Sequence, residues 1–358
     1  MRPTLLLAAA LLALSSPHHV LAQPLRLALL GQALIEADPR GPGRSPSRTI
    51  RPLLDAADGV FTNLEASVKD TGCVCTPTRT DVFQHAATPD VLDYLKTLHV
   101  SVLSLANNHA WDFGAEGVLS TLHAATARGF TVAGTGPTIG AATAPAYRTI
   151  KGHRVALVAV ATVRLAPDAA ATDTRAGVNL MPMEQPADWD RNIAALGDAR
   201  KHAEIVIAYH HCQTLCTDAW QQRWAHAAID AGATLYIAHG EPTLRGIEVY
   251  HGRPILYGLG NYIFQTKTEG GHYPPDVWES VVADVVIGSA GAASFTFTPI
   301  VLDGEAGAVA GTPRGIPEVA TSARGATILS RLATLSAATG TTIEVRGGKG
   351  YLVIPPSK

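Results

Sequence analysis

Ser101-Val-Leu-Ser-Leu-Ala-Asn-Asn-His-Ala-Trp-Asp-Phe-Gly-Ala-Glu-Gly-Val-Leu-Ser-Thr-Leu122 is the stretch that decides the fold. Its apolar run, residues 102–106, has the composition of a buried strand, and residues 114–127 carry the spacing of an amphipathic helix. Asn107, Asn108, His109 and Asp112 therefore fall on the loop leaving the C-terminal end of a strand. Open α/β sheets place their binding crevices there. An amide oxygen beside an imidazole suits a divalent metal, with Asp112 near enough to orient the ring. The same residues also read as a helix cap followed by a surface histidine. The motif alone does not choose between them.

Working outward, apolar strands alternate with helical patterns. Strands are expected at 25–30, 59–62, 100–106, 130–133, 155–161, 205–209 and 234–238, and helices at 90–98, 114–127, 189–202 and 219–231. Such alternation predicts an α/β layered core with helices on both faces of a sheet. Four later strands, 247–250, 255–257, 281–287 and 294–301, read as a second, partly antiparallel sheet. Residues 40–51 read as a mobile loop and 304–318 as a surface loop. A helix at 324–336 and a hairpin at 342–354 turning at Gly347-Gly348 complete the chain.

Five polar clusters share one position, just past an apolar strand. They are Gly31-Gln32, Asn63-Leu64-Glu65, Asn108-His109, His210-His211 and His239-Gly240. Each alone reads equally as solvated loop residues. Together they point to one functional edge.

Residues 1–22 have the form of an export signal: Arg2, an apolar stretch from Leu5 to Leu14, and Val20-Leu21-Ala22 as a cleavage site. No cysteine follows the cut to carry a lipid, and no later segment reaches transmembrane length. The mature chain is thus expected to be periplasmic or extracellular, without a transmembrane segment. Removing Arg2 leaves 27 basic against 30 acidic residues, a net charge of −3, which gives no case for nucleic-acid binding. At 47% hydrophobic and 16% charged residues the chain can fill a large core, which argues against disorder. In an oxidising compartment Cys73, Cys75, Cys212 and Cys216 favour disulfides. A Cys-x-Cys bridge is strained, so the expectation is a bond between the two loops or a local Cys212–Cys216 bond, with a thiolate zinc site as the sharper alternative.

In order along the chain, several segments resemble the CapA-type proteins associated with poly-γ-glutamate capsule synthesis, of the calcineurin-like metallophosphoesterase superfamily. They are Asn63-Leu64-Glu65, the run from Leu105 to Gly114, Ala133-Gly134-Thr135-Gly136, the strand ending in His211, Gly246-Ile-Glu-Val-Tyr250, and Arg253-Pro-Ile-Leu-Tyr-Gly-Leu-Gly-Asn-Tyr-Ile-Phe264. Arg331-Leu-Ala-Thr-Leu-Ser336 is similar to the family's closing helix. The resemblance implies a four-layer α/β/β/α sandwich spanning 23–302, with 303–358 packed on the same domain. It implies a divalent metal (Mn, Zn or Mg) held by Glu65, Asn108, His211 and His239, with His109 as acid or base and Asp112 as its partner. Gln32, Asn63, His210, Glu241, Glu248 and Asn261 are candidates for weak ligation or support, and Arg245 for substrate binding.

Two departures matter. The family has an Asp where this chain has Gln32, and a second His where it has Pro242 in His239-Gly240-Glu241-Pro242. A neutral amide cannot offset cation–cation repulsion as a bridging carboxylate does, so one metal rather than two is expected. Three functions follow. The first is a metal-dependent hydrolase acting on an amide or phosphoester of an anionic polyamide or peptide-like substrate. The second is a non-catalytic accessory protein that binds the polymer or capsule-assembly proteins. The third is a peptide epimerase, which has the least support in the residues.

Overall fold

Leu25, Leu27 and Leu29 alternate with Ala28 along the first strand, and Leu30 continues the second face just past its end; all are buried. A strand buried on both faces demands a layer on each side. The computed structural model supplies those layers; it describes residues 23–41, 46–79, 84–183, 185–213, 216–266, 273–288, 293–302 and 314–354. The expected export signal (1–22), residues 42–45 of the expected mobile loop and residues 304–313 of the expected surface loop lie outside the described residues.

The fold is mixed α/β. The larger sheet runs in the order Glu344–Arg346, Lys349–Ile354, Ala293–Val301, Glu279–Ile287, Leu25–Leu29, Gly59–Asn63, Val100–Ser104, Thr131–Ala133. The smaller runs Ile247–Tyr250, Arg253–Leu256, Leu235–Gly240, Ile205–Cys212, His153–Thr162, Ala146–Ile150. One apolar cluster mixes side chains of both sheets, among them Leu27, Phe61, Val102, Leu157, Ile207 and Ile237. A second joins Ala28, Leu30 and Val60 to the helices Asp90–Thr97 and Gly114–Ala127. A third joins Val158, Val206 and Tyr236 to Pro186–His202 and Asp218–Asp230. Each fully buried Leu, Ile or Phe contributes about 1.5–3 kcal/mol.

The central strands of both sheets run parallel, and their C-terminal ends share one edge of the molecule. Gly134 lets the sheets close there: its φ is +101°, and a Cβ would meet those of Ala106 and Ala159 at 2.6 and 3.0 Å.

The grouping of the four late strands is corrected. Ile247–Tyr250 and Arg253–Leu256 extend the smaller sheet, whereas Glu279–Ile287 and Ala293–Val301 return to the larger one, the former antiparallel to Leu25–Leu29. An apolar pattern specifies a buried strand, not which distant strand it pairs with. Residues 46–51 of the expected mobile loop are anchored, with Ser47 and Ile50 fully buried and Ser47 Oγ 2.9 Å from the Tyr94 hydroxyl. The cysteines pair within their own loops, Cys73–Cys75 and Cys212–Cys216, with Cα separations of 5.1 and 5.3 Å. This corrects the expectation against Cys-x-Cys, since both spans lie within ordinary disulfide reach. Among the described residues no helix is long and apolar enough to cross a membrane.

Candidate functional site

Strand alternation decides which histidines enter the site. Along Ile205–Cys212, Ile205, Ile207 and Tyr209 face the larger sheet and Val206 and Ala208 face the helices. His211 therefore points between the sheets and His210 away from the edge. The neighbouring strand pairs His211 with His239 in register, and His239 follows Leu235 and Ile237 into the same space. From the larger sheet, Glu65 lies two residues past Gly59–Asn63, and Asn108 and His109 lie just past Val100–Ser104.

These groups converge. His211 Nε2 lies 2.8 Å from Asn108 Oδ1 and 3.8 Å from Glu65 Oε1, and its Nδ1 is 3.2 Å from the Tyr209 hydroxyl. Glu65 is 2% exposed, and its Oε2 has no hydrogen-bond partner. Burial raises its pKa to about 8; a positive His85 opposes the rise and Asp112 adds to it. His211 is held well below the usual histidine range, first by burial and then by repulsion from His239, His109 and His210. Both shifts disfavour the charged forms, so burial works against an ion pair at the Glu65–His211 contact. Burial lowers His239 to about 3. Neither of its nitrogens makes a hydrogen bond of good geometry, although the Leu30 carbonyl lies near enough to offset burial slightly.

Neutral imidazoles, an amide oxygen and an orphaned carboxyl oxygen are donors of the kind that could hold a divalent cation. The unpartnered Glu65 Oε2 and His239 nitrogens are what a cation would satisfy. His239 stands slightly apart: it does not bring its ligand atom within 4.8 Å of both Glu65 and His211. The one His/Cys/Asp/Glu trio among the described residues that meets this distance is His210, Cys212 and Cys216. There the sulfurs are bonded to each other, and His210 is held by Tyr236 at 2.7 Å and Thr162 at 3.0 Å.

His109 stands at the mouth. Its Nδ1 is 2.8 Å from Asp112 Oδ2, and its backbone N–H donates to Asn107 Oδ1 at 3.0 Å. Asn107 in turn donates to Asn63 Oδ1 at 3.1 Å and the Leu64 carbonyl at 2.7 Å, locking the two strand ends together. Asn63 is thereby a scaffold residue. His109 keeps 13% of its side chain exposed against 1% for Asp112, so the ring faces solvent and the carboxylate does not.

The remaining candidates divide. Gln32 donates to Asn261 Oδ1 at 3.0 Å and accepts from the Gly240 N–H at 3.1 Å, while Asn261 donates to the Val277 carbonyl at 3.0 Å. Both are ties between strand ends. Glu248 is turned to the helix side, where it binds Tyr257 and His226. Glu241 is exposed. Arg245 pairs with Asp218 and shares with Glu241, Thr243, Gln222 and Tyr257 a cavity of about 800 Å³ that opens two residues beyond His239. Two residues lacking any motif also belong here: His85, edge-on to His109 with centroids 4.2 Å apart, and Glu36, bound to His85. Glu36, four residues past Gln32, repeats the pattern of polar groups after a strand; His85 has no such signal.

Paired sheets with helices, and Asn, His and Glu side chains gathered at the strand ends, define a metallophosphoesterase-like α/β protein. Residues 27–266 match the family described as bacterial capsule synthesis protein PGA_cap, and the chain belongs to that family. It is 33% identical over 174 residues to the PGA biosynthesis protein CapA of Bacillus subtilis (strain 168), covering 48% of this chain and 44% of that one. It is 32% identical over 191 residues to a "Probable polyglutamine synthesis accessory protein" of Mycobacterium tuberculosis (strain H37Rv), covering 51% and 50%. With the capsule biosynthesis protein CapA of Bacillus anthracis it shares 28% over 190 residues, covering 50% and 44%. The chain thus spans about half the length of these curated relatives.

Proposed function

We propose that this protein acts outside the cytoplasm in the synthesis or processing of a capsule-type anionic polyamide, hydrolysing an amide at the strand-end site with one divalent cation. The observation that carries this reading is the convergence of Asn108, His211 and Glu65 beside a partly exposed His109 held by the buried Asp112. Glu65, Asn108 and His211 would hold the cation, with His239 beside them, and the imidazoles favour zinc or manganese over magnesium. Such a cation supplies a Lewis acid that draws charge from a scissile carbonyl oxygen. Asp112 fixes the His109 ring so that its outer nitrogen can exchange a proton with substrate. The cavity around Arg245 offers polar walls for the polymer beyond the scissile bond. Gln32 has both ends of its amide engaged, which supports one cation rather than two.

A second reading, a polymer-binding accessory protein without catalysis, is favoured by the same Gln32 tie and by Pro242. Metal analysis of the purified protein separates the two. Roughly one equivalent of zinc or manganese per chain is expected. His211→Ala should lower that occupancy, while His109→Ala leaves it intact and slows cleavage of γ-glutamyl oligomers about 10²–10⁴-fold. Absence of bound metal after incubation with excess manganese and zinc overturns the hydrolase and leaves the accessory protein.

A further inference from the structure

His85 is 6% exposed, and its Nδ1 lies 2.5 Å from Oε1 of the almost fully covered Glu36. Its backbone N–H donates at 2.8 Å to Asp112 Oδ2, the oxygen that also lies 2.8 Å from His109 Nδ1. The two rings meet edge to face. The edge therefore holds two imidazoles side by side, each with Nδ1 tied to its own carboxylate. That tie orients a ring and leaves Nε2 as its working nitrogen, and among the described residues His85 makes side-chain hydrogen bonds through Nδ1 alone. A carboxylate behind a histidine also occurs in metal ligation. Here His85 packs on His109, and among the described residues it forms no trio of ligand atoms within 4.8 Å.

We propose that His85, oriented by Glu36, is a second acid–base side chain of this site, working opposite His109. The proposal rests on the hydrolytic reading. His85 takes one proton from water as the water oxygen bonds to the amide carbon. His109, nearer the mouth, gives its proton to the leaving nitrogen as the carbon–nitrogen bond breaks. The products are a carboxylic acid and an amine, and exchange with solvent returns both rings to their starting states.

Two measurements test it. Labelling of the native protein with diethyl pyrocarbonate, mapped by mass spectrometry, should modify His85 and His109 and spare His210, whose nitrogens are both engaged. A γ-glutamyl oligomer should protect the first two. An unlabelled His85 under conditions that label His109, or one that labels without protection, overturns the proposal. In kinetics, His85→Gln and Glu36→Gln should lower kcat about 10²–10⁴-fold at unchanged KM and metal content. A KM effect with unchanged kcat would make His85 a binding residue and overturn it as well. If the unaltered protein hydrolyses nothing, the hydrolytic reading falls and this step with it. Protected labelling would then still establish that His85 faces the ligand.

Discussion

His210 and His211 are adjacent in sequence and opposite in role, because neighbouring side chains of a strand leave on opposite faces. A sequence shows the pair but not which member faces the other sheet; the phase of Ile205, Ile207 and Tyr209 settles that once the layers are known. Gln32 was visible as a departure from the family. That its amide is consumed by Asn261 and Gly240 was not, because those partners lie 229 and 208 residues away. The buried His210 carries a pH prediction. Burial lowers its pKa to about 3, against about 6.5 in an unfolded chain. Above that unfolded value the ring is neutral in both states and costs nothing. As pH falls below it, the unfolded chain takes up a proton that the fold refuses, and stability drops by up to about 1.4 kcal/mol per pH unit until about pH 3. In urea unfolding at pH 7 and pH 4, the unaltered protein should lose roughly 3 kcal/mol more than His210→Asn. Equal losses would show that His210 is charged, or solvated, within the fold.

At the scale of elements, the site is a property of strand ends. The helix Gly114–Ala127 and the core strands were legible because their periodicity is local, carried within five to fourteen residues. Sheet membership was not: Glu279–Ile287 reads like any buried strand, and only its pairing with Leu25–Leu29 assigns it to the larger sheet. His85 and Glu36 escaped for a related reason. Both lie outside the long strands and helices; Glu36 follows a three-residue strand too short to stand out, His85 carries no pattern at all, and only folding brings Glu36 across 49 residues to His85. The ends of the two strands bearing His211 and His239 are held together at Gly240. Its φ is +125°, and a Cβ there would sit 2.2 Å from the Cys212 carbonyl oxygen. Gly240→Ala must therefore push these strand ends apart or strain the backbone, at a cost on the order of 1–3 kcal/mol. A lowered Tm together with weaker metal retention is expected. An unchanged Tm would mean that this edge deforms freely and that the register of His211 and His239 is not what organises the site.

At the scale of the whole molecule, the family match ends at residue 266, yet the sheet that carries Glu65 and His109 does not. Glu279–Ile287, Ala293–Val301 and Lys349–Ile354 continue it in turn, and the helix Ser322–Ala337 closes over the central cluster with Ile328, Leu329 and Leu332. Glu279, 7% exposed, is held there by Arg324 and Arg331 from that helix. A chain ending at Leu302 would lose Ile328, Leu329, Leu332, Ile343, Leu352 and Ile354 from the core. At about 1.5–3 kcal/mol each, their loss amounts to roughly 10 kcal/mol or more, comparable to the entire net stability of a typical domain. It would also leave the Glu279 carboxylate without either guanidinium and bare the edge of Ala293–Val301, a template for aggregation. The truncated chain is expected to be insoluble, or soluble without a cooperative thermal transition by circular dichroism. A cooperative melt near that of the full chain would overturn this account and show that the residues up to 302 hold the strand-end edge without the closing helix and hairpin. If the prediction holds, the strand ends that carry the site depend on a part of the chain that supplies none of its chemistry.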